Sequence, residues 1–502
     1  MESFDIFTRA TLASNTQTDG MFATSEDDGR GAIIIWLFVL AMVVPIEFRV
    51  GSLSLTGLRL MLLITIVPTT IGLFTGRYGR LYLVDFLFAL HGVWGIVSIG
   101  VNNPLRVVEN AGIYIIEFFG AYVLARAYIR TPQAFYRLIR AVLVFTVLSL
   151  PLAILESQTD RSIIISLIGS LPGIDTVNQI DMPQRMGLYR SQVSFPHPIH
   201  YGLFCTAVLA LTWIGMKGVL TNALRYLAVA AVGAAVFLSL SSGALLAAVI
   251  QSGLIVWNYL FRKMTRRWLL LAAIAAFGYV VIDVLSNRTP IRVFMSYATF
   301  SAHNAFWRGI IFEWGMKNVW NNPVLGLGLR PWIRPSFMRS GSIDNYWLVM
   351  AVKFGIPGFA MVAGGYLDAM IRVGRQKLTP GSFSSNLRLG WMIMCVGVAF
   401  SLATVHIWGS LLSFVFFLVG SGLWIVGTSD VPAAGSSLTV APDTRNKLAW
   451  SRSHTTNSAP KAGMRFARKV KDEVVETEPS SPQYTRFADK RPDLDRRRRD
   501  GN

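Results

Sequence analysis

The chain has 502 residues, of which 53% are hydrophobic and only 15% charged, and its formal net charge is +19. Soluble domains carry about 25% charged residues and break their apolar segments every few turns, so a mean hydropathy of +0.47 argues against a water-soluble fold. The excess positive charge does not point to nucleic acid. It gathers in short connections and at the C-terminal end, where the positive-inside rule would place it.

Residues 1–29 are polar and include Glu26, Asp27 and Asp28, with no basic stretch ahead of the first apolar run to suggest a cleavable signal. From Gly31 onward, apolar stretches of roughly 18 to 22 residues recur, each able to cross a hydrocarbon core of about 30 Å. They predict an all-α polytopic membrane protein with twelve spans, near 31–48, 56–75, 82–100, 110–128, 136–155, 199–216, 223–241, 243–261, 267–285, 345–366, 388–406 and 408–427. Cys205 and Cys395 both fall inside apolar runs and read as core thiols, without a CxxC pair or disulfide framework.

A cytoplasmic N-terminus puts Arg77, Arg80, Arg126, Arg130, Arg137, Lys217, Arg262, Lys263, Arg266, Arg267, Arg372, Arg375, Lys377 and Arg388 on the inside. The short outer connections then keep only Arg49 and Arg106, with Arg59 at a span end. Two long connections, 156–198 and 286–344, fall outside, and segments of that length commonly carry function. Within the second, Phe306 to Val319 is amphipathic and predicts a helix near the membrane surface. The membrane domain thus covers 30–427. Residues 428–502, ending in Arg496 to Arg499, predict a disordered basic cytoplasmic tail, with anionic lipid a conceivable contact.

Four constellations could carry chemistry. Arg185-Met-Gly-Leu-Tyr-Arg190 precedes Phe195-Pro-His197-Pro-Ile-His200 where the chain re-enters the membrane. Guanidinium groups there can form paired bonds to phosphate oxygens, or anchor the interface by snorkelling. Arg308 opens the amphipathic helix, which Pro323, Gly326 and Gly328 close with a tight turn. Asp344-Asn345 stands at the mouth of the tenth span, suited to act as a general base or as a helix cap. Ser239-Leu-Ser241-Ser242-Gly243 forms an outer hinge or a plain turn. No Walker A, HExxH or GxSxG motif is present. Glu117 and Asp85 are the mid-span charges noticed; Glu117 is expected to pack against a polar neighbour, with an ion path as the alternative.

In order and membrane side, these segments resemble the O-antigen ligase and Wzy-type polysaccharide polymerase superfamily, over roughly residues 180–370. Arg308 with Pro323, Gly326 and Gly328 matches one part of its pattern; Asp344, Asn345 and Leu348 match another, and the segment from Arg185 to Gly202 looks like the exopolysaccharide polymerase branch. Two positions depart: Ser242 stands where that pattern usually has Arg, and Asp344 where ligases typically carry His. The resemblance implies an inverting, metal-independent glycosyl transfer that needs no cofactor, from undecaprenyl-diphosphate-linked glycan to a hydroxyl of the next lipid-linked unit. It casts Arg190 and Arg308 as leaving-group stabilisers and Asp344 as the base. Arg185, His197, His200, Asn345 and Ser241 become substrate contacts, with either histidine an alternative base. A flippase and a chain-length regulator would be natural partners, and nucleic acid would not. A ligase, which moves finished glycan onto lipid A core, is the nearest rival reading. A transporter is the rival of another class.

Overall fold

Residues 26–50, 53–287, 289–290, 293–294, 302–338 and 340–428 are described by a computed structural model. The predicted ends 1–25 and 429–502 lie outside these residues, so the expectations for the tail and most of the N-terminal segment are not addressed. Ten helices among the described residues are long and apolar enough to cross a bilayer: α2 (Gly57–Phe74), α3 (Leu83–Asn102), α4 (Pro104–Tyr128), α5 (Pro132–Thr159), α7 (Pro198–Gly215), α9 (Ser242–Leu260), α10 (Arg267–Leu285), α12 (Tyr346–Arg375), α13 (Phe383–Leu402) and α14 (Gly409–Gly427). The other two predicted spans fall on shorter apolar helices, the Gly31–Val43 part of α1 (Glu26–Val43) and α8 (Asn222–Leu238). The chain is a multi-pass, all-α membrane protein, as its hydropathy predicts.

The first span is shorter than expected for a local reason. Pro45 follows α1 and cannot continue a helix, and the chain turns into β1 (Ile46–Val50). This strand pairs antiparallel with β2 (Leu53–Thr56) and, after α6 (Ile163–Gly169), with β3 (Asp175–Thr176). Arg49 meets Asp175 at 3.0 Å across that sheet. The 156–198 segment is thereby tied to the α1–α2 connection.

Both noticed mid-span acids have partners. Asp85 accepts from the Tyr122 hydroxyl at 2.6 Å, from Arg126 Nε at 3.1 Å and from its own cap amide, Tyr82 N, at 2.6 Å. Glu117 lies in a π-helical turn of α4, Ile116–Gly120, and accepts from Arg59 Nε at 2.7 Å. Pairing makes these charges tolerable at membrane depth.

α11 (Ala302–Asn321) forms where the amphipathic stretch predicts a helix. Its buried positions, Arg308, Ile311, Gly315, Asn318 and Val319, recur at helical spacing, while Phe306, Glu313, Lys317 and Trp320 are exposed. The turn after it does more than end the helix. α12 breaks at Gly355 (φ +71°), just before Pro357, and the 323–328 turn enters the break. Leu327 N donates to Val352 O at 2.8 Å, Gly328 N to Lys353 O at 2.9 Å, and Ile356 N to Pro323 O at 2.7 Å. A Cβ on Gly355 would lie 2.0 Å from Val324 O, and one on Gly326 2.5 Å from Lys353 O. Only glycine permits that approach. The interlock also satisfies backbone groups that lipid could not.

Candidate functional site

The hinge between α8 and α9 is the centre around which the predicted residues gather. Leu240 adopts φ +45°, unusual for a side chain branched beyond Cβ, and Ser241 caps α9 by accepting from Ala244 N at 3.5 Å. The first turn of a 19-residue helix is thus presented at this end of the bundle, with the positive end of its dipole outward.

Two arginines, Arg185 and Arg308, reach that turn, and Arg190 lies within the field of Arg185. Arg185 is aimed by a two-residue turn in which Met186 (φ 55°) and Gly187 (φ 77°) are left-handed and Arg185 and Leu188 exchange backbone bonds of 2.9 and 3.0 Å. Its Nη1 donates to Leu240 O at 2.7 Å. Arg308, 8% exposed, donates from Nη2 to Ser242 Oγ at 3.3 Å. A cation from α11 therefore reaches the hinge position where the sequence pattern lacks its usual arginine. Arg190 has no carboxylate partner among the described residues. Its Nη1 lies 2.9 Å from Met182 Sδ and its Nε is buried without a partner. Burial, followed by repulsion from Arg185, pushes its guanidinium down to about 10. Burial and Arg185 also lower Arg308, against an opposing pull from Asp344. Arg185 repels both Arg190 and Arg308, and grouped guanidinium groups of this kind suit an oxyanion.

Asp344 is exposed, beside Arg308 in the field sense just given, and accepts from Ser342 Oγ at 2.8 Å. Asn345 caps α12, its Oδ1 accepting from Leu348 N at 3.0 Å. Capping thus accounts for one polar atom each of Asn345 and Ser241; of the Asp344-Asn345 pair it is Asn345, and not Asp344, that caps the helix.

The histidines divide. His197 caps α7 through Nδ1, which accepts from Ile199 N at 3.0 Å. It is half-buried, and burial followed by Arg190 and Arg185 lowers it to about 4. His200 is fully buried, with neither ring nitrogen hydrogen-bonded, and its ring lies 4.2 Å from that of Trp408. His406, in the α13–α14 connection, has its ring 5.7 Å from that of Trp408, and burial followed by Lys353 lowers it to about 3. His197 and His406 are therefore neutral at neutral pH. An unfolded histidine titrates near 6.5, so the unfolded chain binds more protons below that value. Stability is full above about pH 6.5 and should fall as pH drops towards 4 through His197, and towards 3 through His406. The Tm of the purified protein at pH 7.5 and 4.5 measures this. His197→Asn, which keeps a cap but does not titrate, should flatten part of the slope.

Sequence reasoning passed over Glu156. Its carboxylate accepts from Gln192 N at 3.0 Å and Val193 N at 2.8 Å, holding Val193 at φ +56° next to Arg190. Ser191 N adds a 3.0 Å bond to Leu238 O, so the loop is stapled to the hinge. Glu156→Ala would orphan two buried amides, at about 1–3 kcal/mol each. A clearly lowered Tm with a protease-sensitive 185–195 segment is expected, and an unchanged digestion pattern would remove the staple from the account. An acid ending a long apolar run was the available signal.

Comparison with known proteins follows this geometry. No curated protein matches the chain. Residues 227–363, which hold the hinge, Arg308, the 323–328 turn and the Gly355 break, match the family model described as O-antigen ligase. Over that stretch the chain is similar to the O-antigen ligase and Wzy-type superfamily.

Proposed function

We propose that the protein polymerises undecaprenyl-diphosphate-linked oligosaccharide repeat units into exopolysaccharide or O-antigen, at the extracytoplasmic face of the bacterial inner membrane. The observation that carries this reading is that Arg185 and Arg308 meet at the α9 N-terminus, with Arg190 in the field of Arg185 and Asp344 in that of Arg308. An acceptor hydroxyl attacks the anomeric carbon of the donor and the bond from that carbon to the diphosphate oxygen breaks, inverting the centre. The lipid diphosphate departs with the electron pair. Arg190 and Arg308, assisted by Arg185, take up its charge in a water-poor setting where such contacts are strong. Asp344 receives the hydroxyl proton; His197, which is neutral, is the alternative base, and His200 could serve only if Trp408 moved aside. Asn345 Nδ2 and the Ser241 hydroxyl remain candidates for sugar contacts. The basic inner connections support an outward-facing site.

Transfer to lipid A core is the second reading, favoured by the description of the matched family. Aspartate rather than histidine at position 344 favours polymerisation. A deletion strain separates the two: loss of the polymerase leaves single repeat units on lipid, while loss of a ligase leaves undelivered polymer. Accumulated polymer would reject the polymerase reading, and unaltered glycan in both pools would reject glycan transfer altogether.

A further inference from the structure

A second group of basic side chains borders a cavity that Trp408 also lines. A cavity of about 290 Å³ is lined by Arg59, Glu117, Tyr114, Tyr346, Lys353 and His406, among others. The acid is already committed, since Glu117 is bonded to Arg59 Nε, and Arg59 Nη1 also donates to Ser54 O at 2.6 Å. Lys353 has no ion pair and no side-chain hydrogen bond among the described residues, although it sits seven residues inside α12, about 10 Å along the helix axis. The Nδ1 of His406 is buried without a partner in the same wall. An ammonium group at that depth with no counter-charge is costly. Here it is not left to chance rotamers: its backbone carbonyl accepts from both Gly328 N and Ser98 Oγ, at 2.9 and 3.0 Å, fixing the start of the side chain at the break.

We propose that this cavity is a second oxyanion site, taking a phosphoryl group between Lys353, Arg59 and His406. Lysine acts there as a point charge and arginine as a fork already oriented by Glu117, and His406 offers a hydrogen bond from whichever nitrogen carries the proton. Enclosure by Tyr114 and Tyr346 lowers the local dielectric and strengthens each contact. The site is distinct from the three-arginine cluster, because none of Arg185, Arg190 and Arg308 lines this cavity. It is inferred from Lys353 and its cavity and not from the reaction proposed above.

The test uses the full chain in detergent or nanodiscs, with inorganic pyrophosphate and a short-chain prenyl diphosphate as probes in calorimetric titration. Two sites are expected in the wild type. Lys353→Gln should remove one or weaken it at least tenfold, Lys353→Arg should keep it, and Arg308→Ala should affect only the other. Lys353-dependent binding of both probes assigns the cavity to phosphoryl groups generally; binding of the prenyl probe alone assigns it to a lipid headgroup. Equal stoichiometry and affinity in wild type and Lys353→Gln, or Lys353-dependent binding of glucuronate but neither phosphate probe, overturns the inference. Loss of binding only on Arg308→Ala would overturn it while leaving the first site intact. Should Lys353→Gln fail to fold, Lys353→Met and the Arg59→Gln variant read the same site.

Discussion

Arg308→Ala is expected to reduce glycan polymerisation by about 10²- to 10³-fold, the usual loss when one donor to a developing oxyanion is removed from an enclosed site. Arg308 contacts the hinge at Ser242, shares its field with Arg185 and Asp344, and is buried enough that water cannot replace it. Arg308→Lys should recover only part of the activity, because an ammonium keeps the charge and loses the planar fork. The assay is polymer length and yield in a deletion background at matched membrane expression, paired with a Tm for each variant. Polymer of normal length from Arg308→Ala would remove this cluster from the chemistry. Asp344→Asn gives the complementary arm: the side chain is exposed, so folding should survive while turnover falls.

The largest effect on folding is expected at Gly355. Its φ of +71° already disfavours any side chain, and the added carbon would stand 2.0 Å from Val324 O and 2.8 Å from Pro323 O, both backbone atoms that cannot swing away. Gly355→Val must expel the 323–328 turn from the α12 break, unpairing three backbone bonds at membrane depth. A loss above about 4 kcal/mol is expected, in the range reserved for such named disruptions, seen as collapse of the folded fraction in size-exclusion of detergent extracts. Gly364→Ala, on the same helix with only an ordinary 3.6 Å contact to Leu87, should be nearly silent. Normal yield of Gly355→Val would contradict the interlock.

The span pattern was legible because hydrocarbon thickness imposes a length that hydropathy alone reveals. The β1–β2 hairpin was not. Ile46 and Phe48 continue the apolar run of α1, and only Pro45 marks the change from helical to extended backbone. Around the site, residue type and membrane side were enough to single out Arg185, Arg190, Arg308 and Asp344. What ties Arg185 and Arg308 to the hinge is long-range: the Arg185–Leu240 bond spans 55 residues and the Arg308–Ser242 bond 66. Lys353 went unnoticed since an isolated lysine inside a long apolar run looks like part of the span. Its exceptional position depends on the break at Gly355 and on Glu117 being occupied by Arg59.

The turn that fills the α12 break also sets a spacing. It continues directly from the helix bearing Arg308 and grips the carbonyl of Lys353 through Gly328 N. The guanidinium and the ammonium therefore stand on a common frame, and neither can drift without disturbing the other's backbone. On the two proposals above, such a frame would act as a gauge, favouring anionic groups whose separation agrees with its own.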